Sequence, residues 1–229
     1  MYPLPPADFD YSQVSVPKDW PHHYSGLAAH WNKNSNLAWA FDTWLQNIFP
    51  RKSLFTNNGG GYATLSFIPT LGTMILGLIA GGWLTRQASP WKKVGWFIAT
   101  GAVLLALGVA ADRSGLCPCV KRIWTPSWVL FSGGWCFLLL SAFYAVIDAA
   151  GISSWSFPLR VIGANSIAAY LLAHGTESFI VRSFHIHFGE DLFKIFGNSY
   201  EPLFAGAVVL LIQWLVLWWL YRQKIFIRI

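Results

Sequence analysis

Charge is scarce in this chain: Asp, Glu, Lys and Arg supply only 11% of its 229 residues, against roughly a quarter in ordinary soluble domains. So few charges cannot coat a water-soluble globule, and a hydrophobic content of 55% leaves an integral membrane protein. Cysteine is sparse as well, and three of them make no disulfide framework. Cys117 and Cys119 flank Pro118 and bridge only with strain, while Cys136 lies within an apolar run. The CPC triplet lacks a second pair of metal ligands and reads as a structural loop. No basic n-region leads into an apolar h-region, so the N-terminus reads without a signal peptide. A basic block interleaved with aromatics is also missing, which sets nucleic acid aside as a partner despite the net charge of +6.

What the chain does have is aromatic and apolar. Fourteen Trp and seventeen Phe cluster near the ends of apolar runs, as interfacial anchors do. Five runs approach the roughly 20 residues that cross a bilayer: 62–84, 94–111, 127–147, 158–177 and 202–221. The expected fold is therefore an all-α integral membrane protein, with a polar segment over 1–61 and a five-helix transmembrane domain over 62–229. Pro69 is expected to kink the first helix. Thr73, Gly77 and Gly81, spaced four apart, are expected to admit a neighbouring helix, as are Gly133, Gly134 and Ser141 in the third. Gln213 is expected to bond another helix.

The segment 1–61 carries Pro3, Pro5, Pro6, Pro17, Pro21 and Pro50, too many breaks for a membrane span. Within it, 35–49 places Leu37, Phe41, Trp44, Leu45 and Ile48 at helical spacing, with Asn34, Ser35 or Asn36 as cap. His22, His23 and His30 read as solvated loop residues. Asn57 to Tyr62 reads as a turn that hinges into the first span. It is only loosely like a phosphate-cradling loop, without that loop's Lys or a preceding strand.

The fourth run, FPLRVIGANSIAAYLLAHGTE from Phe157 to Glu177, concentrates polar groups. On a continuous helix at about 100° per residue, Gly163, Ser166, Tyr170, His174 and Glu177 share one narrow face. Such a stripe needs partners that lipid cannot supply, which makes it a functional candidate facing helices or a wet cavity. His174 and Glu177 also fit a helix end that meets water, and the sequence leaves both readings open.

Arg86, Lys92 and Lys93, then Arg160, then Arg222, Lys224 and Arg228 fall on one side of the five spans. Arg113, Lys121 and Arg122 fall on the other. The positive-inside rule puts the larger group, and the C-terminus, in the cytoplasm. Segment 1–61 is then external, as is 184–200 with His185, His187, Glu190 and Asp191. His185 and His187, at i and i+2, suggest no metal site. An external segment of this length without a signal peptide calls for something upstream, so an N-terminal half is expected to be missing; the alternative is an inverted bundle.

IPTLGTMILGLIAGGWL, KRIWTPSWVLFSGGWCFLLLSAFYAVID, GANSIAAYLLAH and the terminal YRQKIFIRI, in that order, resemble the C-terminal half of the heparan-alpha-glucosaminide N-acetyltransferase-like family, bacterial members in particular. The resemblance implies transfer of acetyl from cytosolic acetyl-CoA to a sugar amine on the external side of a bacterial inner membrane. It implies that the five spans are the last of a larger bundle with a cytosolic C-terminus. The family's catalytic histidine follows its first membrane helix, and nothing here matches that region. Gly163, Ala164, Asn165, Ser166 and His174 are the positions the resemblance carries over as lining the site.

Acetyl transfer to an amine needs a base, donors for the oxyanion and a thiolate leaving group. On this reading Ser166, Tyr170 and His174 line the acceptor path, Glu177 orients His174 or binds sugar, and Asn165 locks a neighbouring helix or donates to the carbonyl. Arg86, Lys92, Lys93 and Arg160 face CoA phosphates, or serve only to orient the chain. Expected partners are the lipid bilayer, an amino-sugar or glycan acceptor, and an N-terminal half, partner subunit or second copy. The alternative is a non-catalytic membrane module or a small-solute transporter component.

Overall fold

The computed structural model describes residues 5–6, 8–195 and 197–227; Pro3 and Arg228 lie outside the described residues. Helices and turns account for the secondary structure there, with no strand among the described residues. The chain divides into two compact units, Met1–Ala150 and Gly151–Ile229.

In the first unit the polar N-terminal segment folds around α1, Leu37–Ile48. Of the three possible caps it is Asn36 that serves, its side chain accepting from the Trp39 N–H at 2.9 Å. Asn34 instead takes a positive φ of 53° and donates to the Val14 carbonyl at 2.7 Å. The chain after α1 returns along it: Trp39 Nε1 donates to Thr56 O, and Asn47 pairs with both the N–H and the C=O of Phe55. Asp42 is buried, and its two carboxylate oxygens accept from Thr64 N–H at 3.1 and 3.0 Å. That pairing fastens α1 to the start of the first span.

Three spans follow, Thr64–Thr85, Pro90–Arg113 and Pro126–Ala149. The first opens on a 3₁₀ turn, Thr64–Ser66, and continues as α2, Phe67–Thr85. Pro69 sits in its first turn, where the missing N–H removes no helical hydrogen bond, so it begins the span and does not kink it. Helices α3, Pro90–Arg113, and α4, Pro126–Tyr144, each place proline at the start. Helix α4 runs on through a π turn, Ala145–Ala149.

Phe97, Leu104 and Phe137 form the core between these spans, with Trp83 and Trp96 stacked at 4.3 Å. Helices α3 and α4 meet through glycine. A Cβ on Gly134 would lie 2.8 Å from Gly101 O, and one on Gly108 would lie 2.8 Å from Phe131 N. Gly134 and Ser141 therefore pack as expected, Ser141 donating to Val94 O at 3.1 Å. Gly77 and Gly81 do not: a Cβ on either meets nothing within 4 Å. Spacing alone marked that face as small, but α3 and α4 already satisfy each other. At the far end, the buried Lys93 ammonium donates to Leu84 O at 2.6 Å, filling one of the open carbonyls that end α2.

At the near end, Trp31 Nε1 donates to Leu116 O at 3.2 Å and Ser66 Oγ donates to Ile123 O at 3.2 Å. Segment 5–63 and the loop 114–125 thus build one cap. The CPC triplet belongs to that loop. Cys117 is buried, Cys119 N–H donates to Asp112 Oδ1 at 2.7 Å, and burial together with the Asp112 charge pushes the Cys119 thiol up.

The second unit holds α5, Phe157–Ala164, α6, Ser166–Gly175, α7, Glu177–Phe188, and α8, Glu201–Arg222. Helix α8 lies within a span, Asn198–Arg222. The expected continuous helix over 158–177 is instead broken: Ser154–Ala164 and Ser166–Gly175 are bent by 76°. Among the described residues four helices are long and apolar enough to cross a membrane, or five if the bent pair counts as one. Asn165 causes the break. Its backbone leaves the helical region at φ −132° and ψ 49°. Its fully buried side chain donates to Ile225 O at 3.0 Å and accepts from Ile227 N–H at 2.8 Å.

A second break follows at Thr176. Its hydroxyl donates to Leu172 O at 2.8 Å, and Gln213 Nε2 of α8 reaches both Leu172 O and Thr176 Oγ1, at 3.1 and 3.2 Å. Gln213 thus bonds another helix, as expected. Helix α7 covers residues whose second half reads as loop in the sequence. It stops at Gly189, whose φ of 93° suits glycine. Val161, Ala168 and Leu217 form this unit's core, beneath Trp214 and Trp218.

Candidate functional site

The breaks at Asn165 and Thr176 distribute the predicted stripe over three helices. Gly163 belongs to α5, Ser166, Tyr170 and His174 to α6, and Glu177 to α7. Ser166, Tyr170 and His174 recur every fourth residue and are exposed along one face of α6. His174 packs at a tilt of 34° against Tyr170, ring centroids 4.2 Å apart, with Nδ1 3.0 Å from Tyr170 O. A carbonyl oxygen can only accept, so Nδ1 carries the proton in the neutral ring and Nε2 keeps a lone pair. That is the arrangement of a general base.

Where α6 gives way to α7 an open cleft of about 860 Å³ is lined by His174, Glu177, Arg182, His185, Glu190 and Glu201, among others. Two imidazoles, three carboxylates, a guanidinium and the Lys194 ammonium converge there, a set able to bind a polar molecule and move its protons. His185 turns inward, its ring meeting the edge of Phe193 at 5.2 Å, and its buried Nδ1 has no hydrogen-bond partner among the described residues. Its neighbour His187 is exposed, with Nδ1 2.7 Å from Ser183 O. Asp191 and Lys194 pair at 2.8 Å at the rim. The Lys194 ammonium holds the Asp191 carboxyl below its ordinary range, and the carboxylate raises Lys194 in return.

His174 and Glu177 are the sequence-predicted residues found together in this cleft. Asn165 is not in it; its amide is committed to the C-terminal tail. Arg160 is exposed on α5. Arg86, Lys92 and Lys93 lie in the first unit. There Arg86 rests over the Trp83 ring at 4.8 Å, Lys92 is exposed, and Lys93 is occupied by Leu84 O. Arg182 and Glu201 were not anticipated, nor was His185 as part of a site. The signal for two of them was Ser178, Arg182 and His185 at i, i+4 and i+7, a polar face that shows only once 177–188 is read as a helix. Among the described residues no group of three or more His, Cys, Asp or Glu is placed to hold a metal ion.

No protein-family model matches the sequence. Over 170 residues the chain is 25% identical to human heparan-alpha-glucosaminide N-acetyltransferase, an overlap of 72% of this chain and 24% of the human protein. The chain spans about a quarter of the length of the relative it matches. It is thus a multi-helix chain with spans suited to a membrane and a distant relationship to an N-acetyltransferase.

Proposed function

We propose that this chain is part of a multi-pass membrane acetyltransferase that moves acetyl from acetyl-CoA to the amine of a sugar. The observation that carries the reading is the 170-residue similarity to the human N-acetyltransferase. The cleft at α6 and α7 supports it, because the reaction needs a base beside an amine. The amine nitrogen attacks the thioester carbonyl, its proton passes to His174 Nε2, and CoA leaves as the thiolate. Glu177 and Glu190 attract the protonated amine before attack. The exposed Arg86 and Lys92 of the first unit supply cationic contacts for the CoA phosphates on the cytoplasmic side, while Lys93 keeps its structural contact and Arg160 is a separate candidate in the second unit. The remainder of the site comes from a further segment, a partner subunit or a second copy, in the inner membrane with the C-terminus cytoplasmic.

Membranes from the native cell, supplied with labelled acetyl-CoA and glucosamine, test the reading. His174→Ala is expected to cut transfer by on the order of 10²–10⁴-fold, the usual worth of a positioned base. His187→Ala, outside the cleft, is expected to leave it intact. Wild-type membranes without transfer would overturn the proposal, and an H174A rate equal to wild type would overturn the role of His174 as base.

One observation favours a second reading as a transporter component: the 76° break at Asn165, since broken helices frame substrate sites in many transporters. Uptake of labelled amino sugar without acetylation would select it.

A further inference from the structure

The cap of the first unit contains a second cleft, of about 430 Å³, which the acetyl-transfer reading does not use. Its lining includes Trp20, Lys33, Asp42, Gly61, Tyr62, Lys121 and Arg122. Three cations face one acid, and both oxygens of that acid, Asp42, already accept from Thr64 N–H. The cations are also held in place. Lys33 Nζ lies 4.8 Å above the Trp20 ring, and Arg122 Cζ lies 5.8 Å above that of Tyr62.

Two of them converge on one point of backbone. A Cβ on Gly61 would lie 3.5 Å from Arg122 Cδ and 3.6 Å from Lys33 Cε, so both side chains lie over the glycine turn. The turn is tightly closed: Gly61 N–H donates to Asn58 O, and Gly60 N–H to Asn58 Oδ1, each at 2.9 Å. Gly61 has a φ of 72°, which disfavours any side chain that would separate the two cations. Like charges brought together without a free carboxylate repel unless an anion lies between them. Among the described residues neither Lys33 nor Arg122 has an ion-pair partner.

We propose that this cleft binds a phosphate- or sulfate-type oxyanion, clamped between Lys33 and Arg122 over the 57–62 turn and walled by Trp20 and Tyr62. Guanidinium and ammonium donors match such a group by charge and by hydrogen bonding. The oxyanion belongs either to a soluble molecule or to a lipid headgroup at the membrane end of the cap. The proposal stands independently of acetyl transfer.

The full chain in phosphatidylcholine nanodiscs, titrated with inorganic sulfate or phosphate at constant ionic strength and followed by tryptophan fluorescence, tests it. A saturable response is expected, at least tenfold weaker in Lys33→Gln and in Arg122→Gln and unchanged in the exposed Lys52→Gln. A parallel titration in phosphatidylglycerol nanodiscs separates the sources: loss of the free-anion response there assigns a lipid headgroup, and its persistence a soluble ligand. No saturable response in phosphatidylcholine, or wild-type affinity in K33Q and R122Q, would overturn the proposal. Should K33Q fail to fold, the exposed Arg122 carries the test alone.

Discussion

Asn165 shows how one amide governs a bend. Its side chain presents a donor and an acceptor in the spacing of a peptide unit, and the tail at Ile225 and Ile227 binds it as a strand would bind a neighbour. Asn165→Ala leaves a carbonyl and an N–H without partners, a loss of roughly 1–3 kcal/mol for each that stays buried. Trypsin is therefore expected to cut at Arg222 and Lys224 markedly faster in this variant, while Ser166→Ala, at an exposed position, leaves the cutting rate unchanged. The sequence showed Asn165 as a polar residue in an apolar run, and that much was legible. Its partners were not, because they lie 60 and 62 residues away and are backbone groups, which carry no residue-specific signal. His174 was legible as a candidate, whereas its tautomer depends on a carbonyl four residues back and follows only from the folded helix.

Helices were the most legible level, since a run of apolar residues long enough for a bilayer leaves few alternatives. The N-terminal helix, the glycines of the third span and Gln213 were all read from spacing and composition. What spacing does not reveal is which of several small-residue faces finds a partner. Gly134 and Gly77 separate the two cases. A methyl at 134 meets backbone of α3, which cannot rotate away, so Gly134→Ala is expected to destabilise by about 1–3 kcal/mol. A methyl at 77 meets nothing, and Gly77→Ala is expected to be neutral or to stabilise by up to about 1 kcal/mol through helix propensity. Thermal unfolding of the two variants in one detergent checks the contrast; equal losses would mean that Gly77 has a partner outside this chain. The broken span was misread for a related reason, because periodicity presumes the continuity that Asn165 interrupts.

For the whole molecule, sidedness is the question that the fold constrains best. The N-terminal segment and the loop 114–125 are tied at Trp31, Leu116, Ser66 and Ile123, so they share one side of any membrane. The turn between α2 and α3 lies at the other end of the first span. Single cysteines at Lys52 and Lys121, in a background without native thiols, are expected to react with an impermeant maleimide from the same face, and one at Gln87 only from the opposite face. Labelling of all three from one face would mean that α2 does not cross. The positive-inside rule adds an expected direction, with the Gln87 cysteine reacting only from the cytoplasmic face. The clamp on Asn165 also bears on synthesis. Helices α5 and α6 emerge from the ribosome well before Ile225 and Ile227, so while α7 and α8 are being made the bend has no tail to hold it. Until that tail docks, the segment lacks the two hydrogen bonds that hold its bend, so it is expected to lock late, after α8 is complete.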